Sequence, residues 1–412
     1  MNNESTRRKN SIWTRNFICV FVIFAMLQFS HTAVNTLVST YAVHLGAGPV
    51  IMGMLTGMLF AVALVMRPFI GPIASKFNHK LLMILASALG VIAYVGYAIF
   101  HEIIIFVAFR ILAGFQYAII GTLGMTMAAD SVPEERLASG ISMYTIGGAI
   151  LAVFGPSIGI MCRDFGTELR GVDFGYTLVF LVGMIAMIIA LIASFCISDS
   201  QLVKAPKINL GKWYKNIVDV YALPAAGLGA LSVIGYSIIN SYMVPFTVER
   251  SLSGVSIFFM LIGICMFAVK PISGRMIEKY GLFKLGIIAM IVFIFAFFFI
   301  GTAHKTWAIY AGAVCTALGY GSALPAFQTM AIQAVYPQKR AVASNTMYLG
   351  LDVGNFCGPL LGGVVYGFST YGTVMLTAVI PVALALVFFF IIWPTFARRR
   401  DKVAADLSAM RE

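Results

Sequence analysis

Charged residues are scarce in this chain of 412 residues: they make up 11% of the sequence, whereas hydrophobic residues make up 60%. Soluble domains carry roughly 25% charged residues, so one water-soluble core cannot bury this much apolar surface. The composition therefore excludes a soluble globular protein and indicates that lipid surrounds most of the chain.

The motifs of common enzymes and metal sites are also missing. The sequence contains no glycine-rich loop followed by Gly-Lys-Ser/Thr, no His-Glu-x-x-His motif, no paired Cys-x-x-Cys and no nucleophile elbow. The five histidines lie on different segments and the six cysteines fall in apolar runs without paired spacing. These absences argue against ATP-driven pumping by this chain. They predict that the protein is not an enzyme and uses no metal and no cofactor.

Long apolar runs are what the sequence has instead. An α-helix needs about 20 apolar residues to cross ~30 Å of hydrocarbon, and the runs are continuous rather than alternating, which predicts helices and not barrel strands. The fold predicted is an all-α membrane protein with twelve transmembrane helices. The spans are expected at 17–43, 49–75, 81–100, 103–129, 138–162, 174–197, 216–246, 254–276, 282–303, 306–335, 341–367 and 373–396.

The 28 basic residues fall mainly on one side of these spans. The opposite side receives only Arg163, Arg170, Arg250 and Lys305. Because basic loops stay on the inner side, we predict a multi-pass protein of the inner (cytoplasmic) cell membrane with both termini cytoplasmic. The scattered charges suit anionic lipid headgroups, whereas nucleic acid needs a contiguous basic groove. Membrane lipid is therefore an expected partner, and nucleic acid is not.

The chain contains an internal duplication. Shifting it by 203 to 205 positions aligns Gly155-Pro156 with Gly358-Pro359, and aligns His31 and Asn35 with Tyr236 and Asn240. Several such blocks in the same order predict two pseudo-symmetric six-helix bundles. The first helix has a counterpart in the second half, so its basic, apolar start is not expected to be a cleaved signal. The predicted domains are an N-terminal bundle at 1–197, a cytoplasmic connector at 198–215, a C-terminal bundle at 216–396 and a cytoplasmic tail at 397–412.

These motifs resemble those of the major facilitator superfamily, and within it the twelve-span exporters of drugs and metabolites that act as proton antiporters. The resemblance covers almost the whole chain. The family's loop motif G-x-x-x-D-R-x-G-R-K is matched after the second span, with Ser75 in place of the aspartate and Asn78 in place of the second glycine. The second copy keeps the acid as Glu278. The resemblance implies that these loops close a cytoplasmic gate, for which the candidate residues are Arg67, Gly71, Lys76, Lys270, Gly274, Glu278 and Lys279.

Two further motifs carry the resemblance. Arg110 and Gly114 match an R-x-x-x-G arrangement that is associated with proton coupling in the family. The G-P-x-x-G motif recurs in the fifth and eleventh spans, and in the fifth it resembles the exporters' signature. Its glycines allow close helix approach and its proline bends the helix.

Ionisable residues inside the bilayer cost several kcal/mol, so each is expected to face a partner or water. The candidates for proton coupling are Asp352, Arg110 and His31. Asp352 lies near the centre of the eleventh span and would bind and release the proton, unless it ties helix ends together as a structural residue. Arg110 would bind an anionic group or pair with backbone carbonyls, and His31 would titrate or act only through hydrogen bonds.

Polar side chains on common helix faces are expected to line a central cavity. Mixed aromatic and amide groups with few charges suit an amphiphilic or weakly charged organic molecule better than a bare inorganic ion. The cavity candidates are Gln28, Asn35, Tyr117, Tyr236, Asn240, Tyr310, Gln328, Tyr348 and Asn355.

We therefore predict a secondary transporter that exports such a small organic solute by proton antiport, with alternating access of the two bundles to a central site. Proton-coupled uptake of a small metabolite and a non-cycling membrane sensor with the same fold are the alternatives. The expected partners are the small-molecule substrate, protons as the coupling ion and membrane lipid, and the protein is expected to act as a monomer.

Overall fold

The computed structural model describes residues 13–132, 137–198, 217–336 and 339–409, and these ranges contain α-helices but no β-strand. The helices are α1 (Arg15–His44), α2 (Pro49–Lys76), α3 (His79–Ile99), α4 (Ile103–Asp130), α5 (Leu137–Arg170), α6 (Val172–Phe195), α7 (Leu223–Glu249), α8 (Val255–Tyr280), α9 (Leu282–Gly301), α10 (Thr306–Gln333), α11 (Arg340–Tyr366), α12 (Tyr371–Thr377) and α13 (Val379–Ala409). An apolar chain in lipid folds into helices because each helix satisfies its own backbone hydrogen bonds.

Ten spans in the described part are long and apolar enough to cross a bilayer. They are formed by α1 to α7, α9, α10 and the pair α12 and α13. In α8 the apolar stretch is shorter, at Val255–Val269, and α11 carries the polar residues Asn345, Asp352 and Asn355. The all-α membrane fold is therefore confirmed, while the count of twelve spans stays a prediction.

The last predicted span, 373–396, is divided in the structure. A short helix, α12, ends at Thr377, and α13 begins at Val379. Pro381 explains the break, because it has no N–H to donate to the carbonyl of Thr377. After the break α13 continues without interruption to Ala409, so the described part of the predicted tail prolongs the last helix.

Packing divides the chain into two compact units. The first comprises the described residues up to Leu37 and from Val62 to residue 198, and the second comprises Val38–Ala61 and the described residues from 217 onwards. The predicted connector 198–215 lies outside the described residues except for Ser198, so the domain boundaries stay predictions.

The two copies of the G-P-x-x-G motif pack in the same way. In the first unit, a Cβ added at Gly155 would overlap the hydroxyl of Thr32 on α1. In the second unit, a Cβ at Gly358 would overlap the hydroxyl of Ser237 on α7. Both glycines are therefore needed for the close approach of α5 to α1 and of α11 to α7.

The two copies of the loop motif have different backbone conformations. Gly281, between α8 and α9, has φ 82°, in the region that favours glycine. Asn78, between α2 and α3, has φ −65° and caps α3, because its side chain accepts a 2.8 Å hydrogen bond from the backbone N–H of Lys80. The first turn therefore requires a capping residue rather than a glycine.

Candidate functional site

A buried cation is held between two helices of the first unit. Arg110 on α4 is 1% exposed. Its Nη2 donates a 2.7 Å hydrogen bond to Oδ1 of Asn35 on α1, and its guanidinium also interacts with the hydroxyl of Tyr97 on α3. Since arginine stays protonated in proteins, this site carries a permanent positive charge.

An aromatic contact adjoins this cation. The rings of His31 on α1 and Tyr117 on α4 lie 5.1 Å apart, centre to centre, and are tilted by 49°. We name His31, Asn35, Arg110 and Tyr117 the arginine cluster. His31 and Asn35 were predicted from one polar face of the first span, and Arg110 and Tyr117 from one face of the fourth span.

A second aromatic contact lies in the second unit. Tyr236 on α7 and Tyr320 on α10 are stacked, with ring centres 4.2 Å apart and an interplanar angle of 5°. The hydroxyl of Tyr236 interacts with the side chain of Asn240, one turn along α7. We name Tyr236, Asn240 and Tyr320 the tyrosine cluster.

The internal repeat relates the two clusters. A shift of 205 positions takes His31 to Tyr236 and Asn35 to Asn240, and a shift of 203 takes Tyr117 to Tyr320. Each half of the chain thus builds an aromatic pair between equivalent helices, α1 with α4 and α7 with α10. The cation has no counterpart in the second half, because the position equivalent to Arg110 is Ala313.

A glycine fixes the position of Tyr320. A Cβ added at the preceding residue, Gly319, would lie 2.6 Å from the backbone nitrogen of Phe293 on α9, which is closer than real Cβ contacts allow. This close approach brings the Tyr320 ring to 5.7 Å from the Phe293 ring. Tyr320 was not among the predicted site residues, although the repeat that aligns it with Tyr117 could have identified it.

The polar stripe of α11 contains a buried carboxylate. Asp352 is 3% exposed, while Tyr348, one turn earlier, is 38% exposed. The Nδ2 of Asn355 donates to the backbone carbonyl of Leu351 at 3.0 Å. The Nδ2 of Asn345 donates to the carbonyl of Ile217 at 2.9 Å. This hydrogen bond connects α11 to the segment that precedes α7.

The other buried carboxylate of the described residues is Asp219, which is 5% exposed. Its Oδ1 accepts a 2.9 Å hydrogen bond from the N–H of Tyr221, and its Oδ2 lies 3.8 Å from Nζ of Lys339. Its own N–H donates to the hydroxyl of Thr346 at 2.8 Å. These contacts join the start of α7 to the start of α11 and assign Asp219 a structural role.

The remaining predicted cavity residues are dispersed. Gln28 is half-buried and packs beside Gly148 of α5. The hydroxyl of Tyr310 lies against Gly254, next to the start of α8, whereas Gln328 is half-buried near the opposite end of α10. The structure therefore does not bring Tyr310 and Gln328 together.

Two of the predicted gate residues have described side chains. Nη1 of Arg67 lies 3.5 Å from the hydroxyl of Thr122 on α4, and Nζ of Lys279 lies 5.2 Å from the centre of the Tyr280 ring. The surroundings of the other five lie outside what the structure describes. These are Gly71, Lys76, Lys270, Gly274 and Glu278.

Comparisons with known proteins agree with this architecture. The family model of the Major Facilitator Superfamily matches residues 18–223 and 225–409. The chain is 26% identical to the MFS-type transporter YtbD of Bacillus subtilis, over 77% of this chain and 80% of the relative. It is 21% identical to the multi-drug resistance efflux pump PmrA homolog of Lactococcus lactis, over 96% and 99%.

Solved structures share the fold. One is a bacterial homolog of the human lysosomal transporter Spinster, which superposes with a TM-score of 0.73 at 17% identity and covers 93% of this chain and 98% of that one. At this identity the likeness shows the fold alone. The comparisons add no assignment of individual residues in either cluster.

Proposed function

Because this chain belongs to the major facilitator superfamily, we propose that it exports a small organic solute, amphiphilic or weakly charged, in exchange for protons. The superfamily consists of multi-pass membrane transporters of small molecules and not of enzymes. The efflux activity of the PmrA homolog supports the direction. The proposed location is the cell membrane, with both termini cytoplasmic and the protein acting as a monomer.

Asp352 is the observation that carries the proposal of proton coupling. A carboxylate at 3% exposure on a helix of a membrane transporter is costly to charge, because lipid and packed protein solvate a charge poorly, and ionisable residues within transmembrane segments commonly mark proton pathways. A carboxyl group in this position can bind a proton when it faces one side of the membrane and release it when it faces the other. The buried guanidinium of Arg110 supplies a second ionic site.

In the proposed cycle, the transporter binds the proton and the solute on opposite sides of the membrane, one after the other. Protonation of Asp352 removes a buried charge and lowers the cost of the conformational change, after which deprotonation on the inner side resets the transporter. Alternating access requires a substrate site in the interior, and the polar faces that contain the arginine and tyrosine clusters are the candidates for it.

Reconstitution into lipid vesicles tests the direction and the coupling together. We would impose pH gradients of either sign and follow ethidium as an amphiphilic cation and fluorescein as an amphiphilic anion. Export by antiport predicts that a probe accumulates on the acidic side of the membrane. Accumulation on the alkaline side would indicate proton-coupled uptake, and no gradient-dependent movement of either probe would favour a non-cycling sensor.

A further inference from the structure

One face of α7 is open in the middle of the helix. From residue 232 to residue 247, every residue of α7 is buried except Tyr236 and Asn240. These two residues are four positions apart and therefore share a face. The outer surface of the protein is instead lined by large apolar side chains, such as Phe295, which is 55% exposed. A polar, aromatic opening in an otherwise buried helix is suited to a ligand rather than to lipid.

Tyr320 extends this open face to α10. It is also half-buried, and its ring is held between the parallel ring of Tyr236 and the fully buried ring of Phe293. Within the described chain its hydroxyl forms no hydrogen bond, so this group is available to a bound molecule. The close packing of Gly319 on α9 prevents Tyr320 from moving away.

We propose that the stacked pair of Tyr236 and Tyr320 forms an aromatic platform for a planar ring of the transported solute. Tyr320, held between Tyr236 and Phe293, supports the ring of Tyr236, and Tyr236 determines specificity for such rings. This inference rests on the proposed transport function. Asn240, beside the platform, offers an amide that can donate to or accept from a polar substituent of the solute.

The geometry of the platform favours flat rings over puckered ones. Aromatic rings attract one another in offset or edge-on arrangements beyond the burial of area, and a saturated ring of the same size has no such term. The expected preference is about 2- to 12-fold in affinity. The equivalent pair of the first unit offers less surface, because His31 is only 8% exposed and its ring is tilted against Tyr117.

Matched probes can test the platform on the purified full-length protein. One pair is phenylacetate with cyclohexylacetate, and the other is phenethylamine with 2-cyclohexylethylamine, so that each pair differs in ring planarity and covers one sign of charge. Dissociation constants would be obtained from thermal-shift titrations of the wild type and of Tyr236→Leu, Tyr236→Phe and Trp307→Leu. Trp307 is an aromatic residue of α10 that is 63% exposed and lies in neither cluster.

The platform predicts that the flat member of at least one pair binds the wild type about 2- to 12-fold more tightly. Tyr236→Phe and the control Trp307→Leu keep this preference, and Tyr236→Leu removes it. If Tyr236→Leu does not fold, Tyr236→Met makes the same test. A wild type without the preference, or a leucine variant that keeps it, would overturn the proposal. Since binding in detergent requires no pH gradient, failure of the platform is distinguishable from failure of transport in vesicles.

Discussion

The arginine cluster and the tyrosine cluster occupy equivalent positions in the two halves of the chain, yet only one is charged. Both contain an asparagine and an aromatic pair. The first half adds the buried cation Arg110, where the second has Ala313. The second half adds the buried carboxylate Asp352, where the first has Ala149, at the offset that aligns Gly155 with Gly358.

The two halves therefore share their helix packing but differ in the ionisable residues that they carry. Glycines and aromatic rings that hold helices together recur in both halves, because both halves must close the same helix contacts. The ionisable groups of these repeated faces do not recur: Arg110 is replaced by Ala313 and Asp352 by Ala149 at the equivalent positions. Each additional buried charge would add a solvation cost.

Removal of the Arg110 guanidinium should have the largest effect on the difference between the two halves. We expect Arg110→Leu to lower gradient-driven transport about 10- to 100-fold, because a hydrogen bond to a charged group contributes roughly 1.5–3 kcal/mol. Arg110→Lys should retain part of the activity, since it keeps the charge but not the planar donor geometry. Initial rates in vesicles measure both variants.

A conservative change at the equivalent position is the matched control. Ala313→Ser in α10 should transport at nearly the rate of the wild type. Equal losses in Arg110→Leu and Ala313→Ser would show that packing, and not charge, distinguishes the two halves.

Two glycines on either side of Tyr320 test how the tyrosine cluster is positioned. Gly319→Ala should destabilise the protein by about 1–3 kcal/mol, because the new Cβ overlaps the α9 backbone. Gly321→Ala should be neutral or slightly stabilising, since its Cβ would meet Met266 at an ordinary 3.5 Å. Thermal denaturation of the two variants compares them directly, and equal stabilities would contradict the packing described for α10.

The G-P-x-x-G motifs test whether the two halves pack alike. Gly155→Ala and Gly358→Ala should each destabilise by about 1–3 kcal/mol, because each Cβ would overlap a hydroxyl group on the neighbouring helix. Gly121→Ala, which has open space around its Cβ, is the control. A large loss in one half alone would mean that the symmetry does not extend to packing.

The smallest expected effect concerns the part of α13 that continues beyond the predicted span 373–396. The hydroxyl of Tyr336 donates a 2.6 Å hydrogen bond to Oδ2 of Asp406, and this carboxylate raises the pKa of Tyr336 above its ordinary value of 10.0. A raised pKa in the folded state gives stabilisation that is present below about pH 10 and lost as the pH rises through the folded value.

We therefore expect the extension of α13 to be held less tightly at alkaline pH, although Arg399 keeps its 3.2 Å hydrogen bond to the carbonyl of Ala334. Brief trypsin digestion measures this as faster cleavage after the exposed Arg398. Tyr336→Phe removes the titrating group, so the ratio of wild-type to variant cleavage cancels the pH dependence of the protease. If the ratio of wild-type to variant cleavage stays constant as the pH rises, the hydrogen bond between Tyr336 and Asp406 does not hold the extension of α13 in place.

The sequence allowed the family, the helical fold and most helix positions to be predicted, because apolar runs and repeated motifs depend on neighbouring residues along one chain. The resemblance to the major facilitator superfamily is confirmed by the family model. The break before α13 was missed because Pro381 lies within a continuous apolar run. The capping role of Asn78 was also missed, since the motif alone suggested a lost glycine.

The site was less predictable, because its contacts join different helices. Arg110 and Asn35 were each proposed from their own helix, but nothing in one helix shows that they bond to each other. Tyr320 was missed because it lies off the face that was assigned to the cavity, and its stack with Tyr236 depends on how Gly319 packs on α9. The roles of the individual site residues stay predictions.

The most direct test of the account compares its two buried carboxylates in vesicles, with ethidium and fluorescein as probes. Asp352→Asn should abolish accumulation driven by a pH gradient but retain exchange of probe across the membrane without a gradient. Asp219→Asn, which alters the structural carboxylate, should retain both activities in whatever protein folds. Gradient-driven accumulation that persists in Asp352→Asn would contradict proton coupling at this residue.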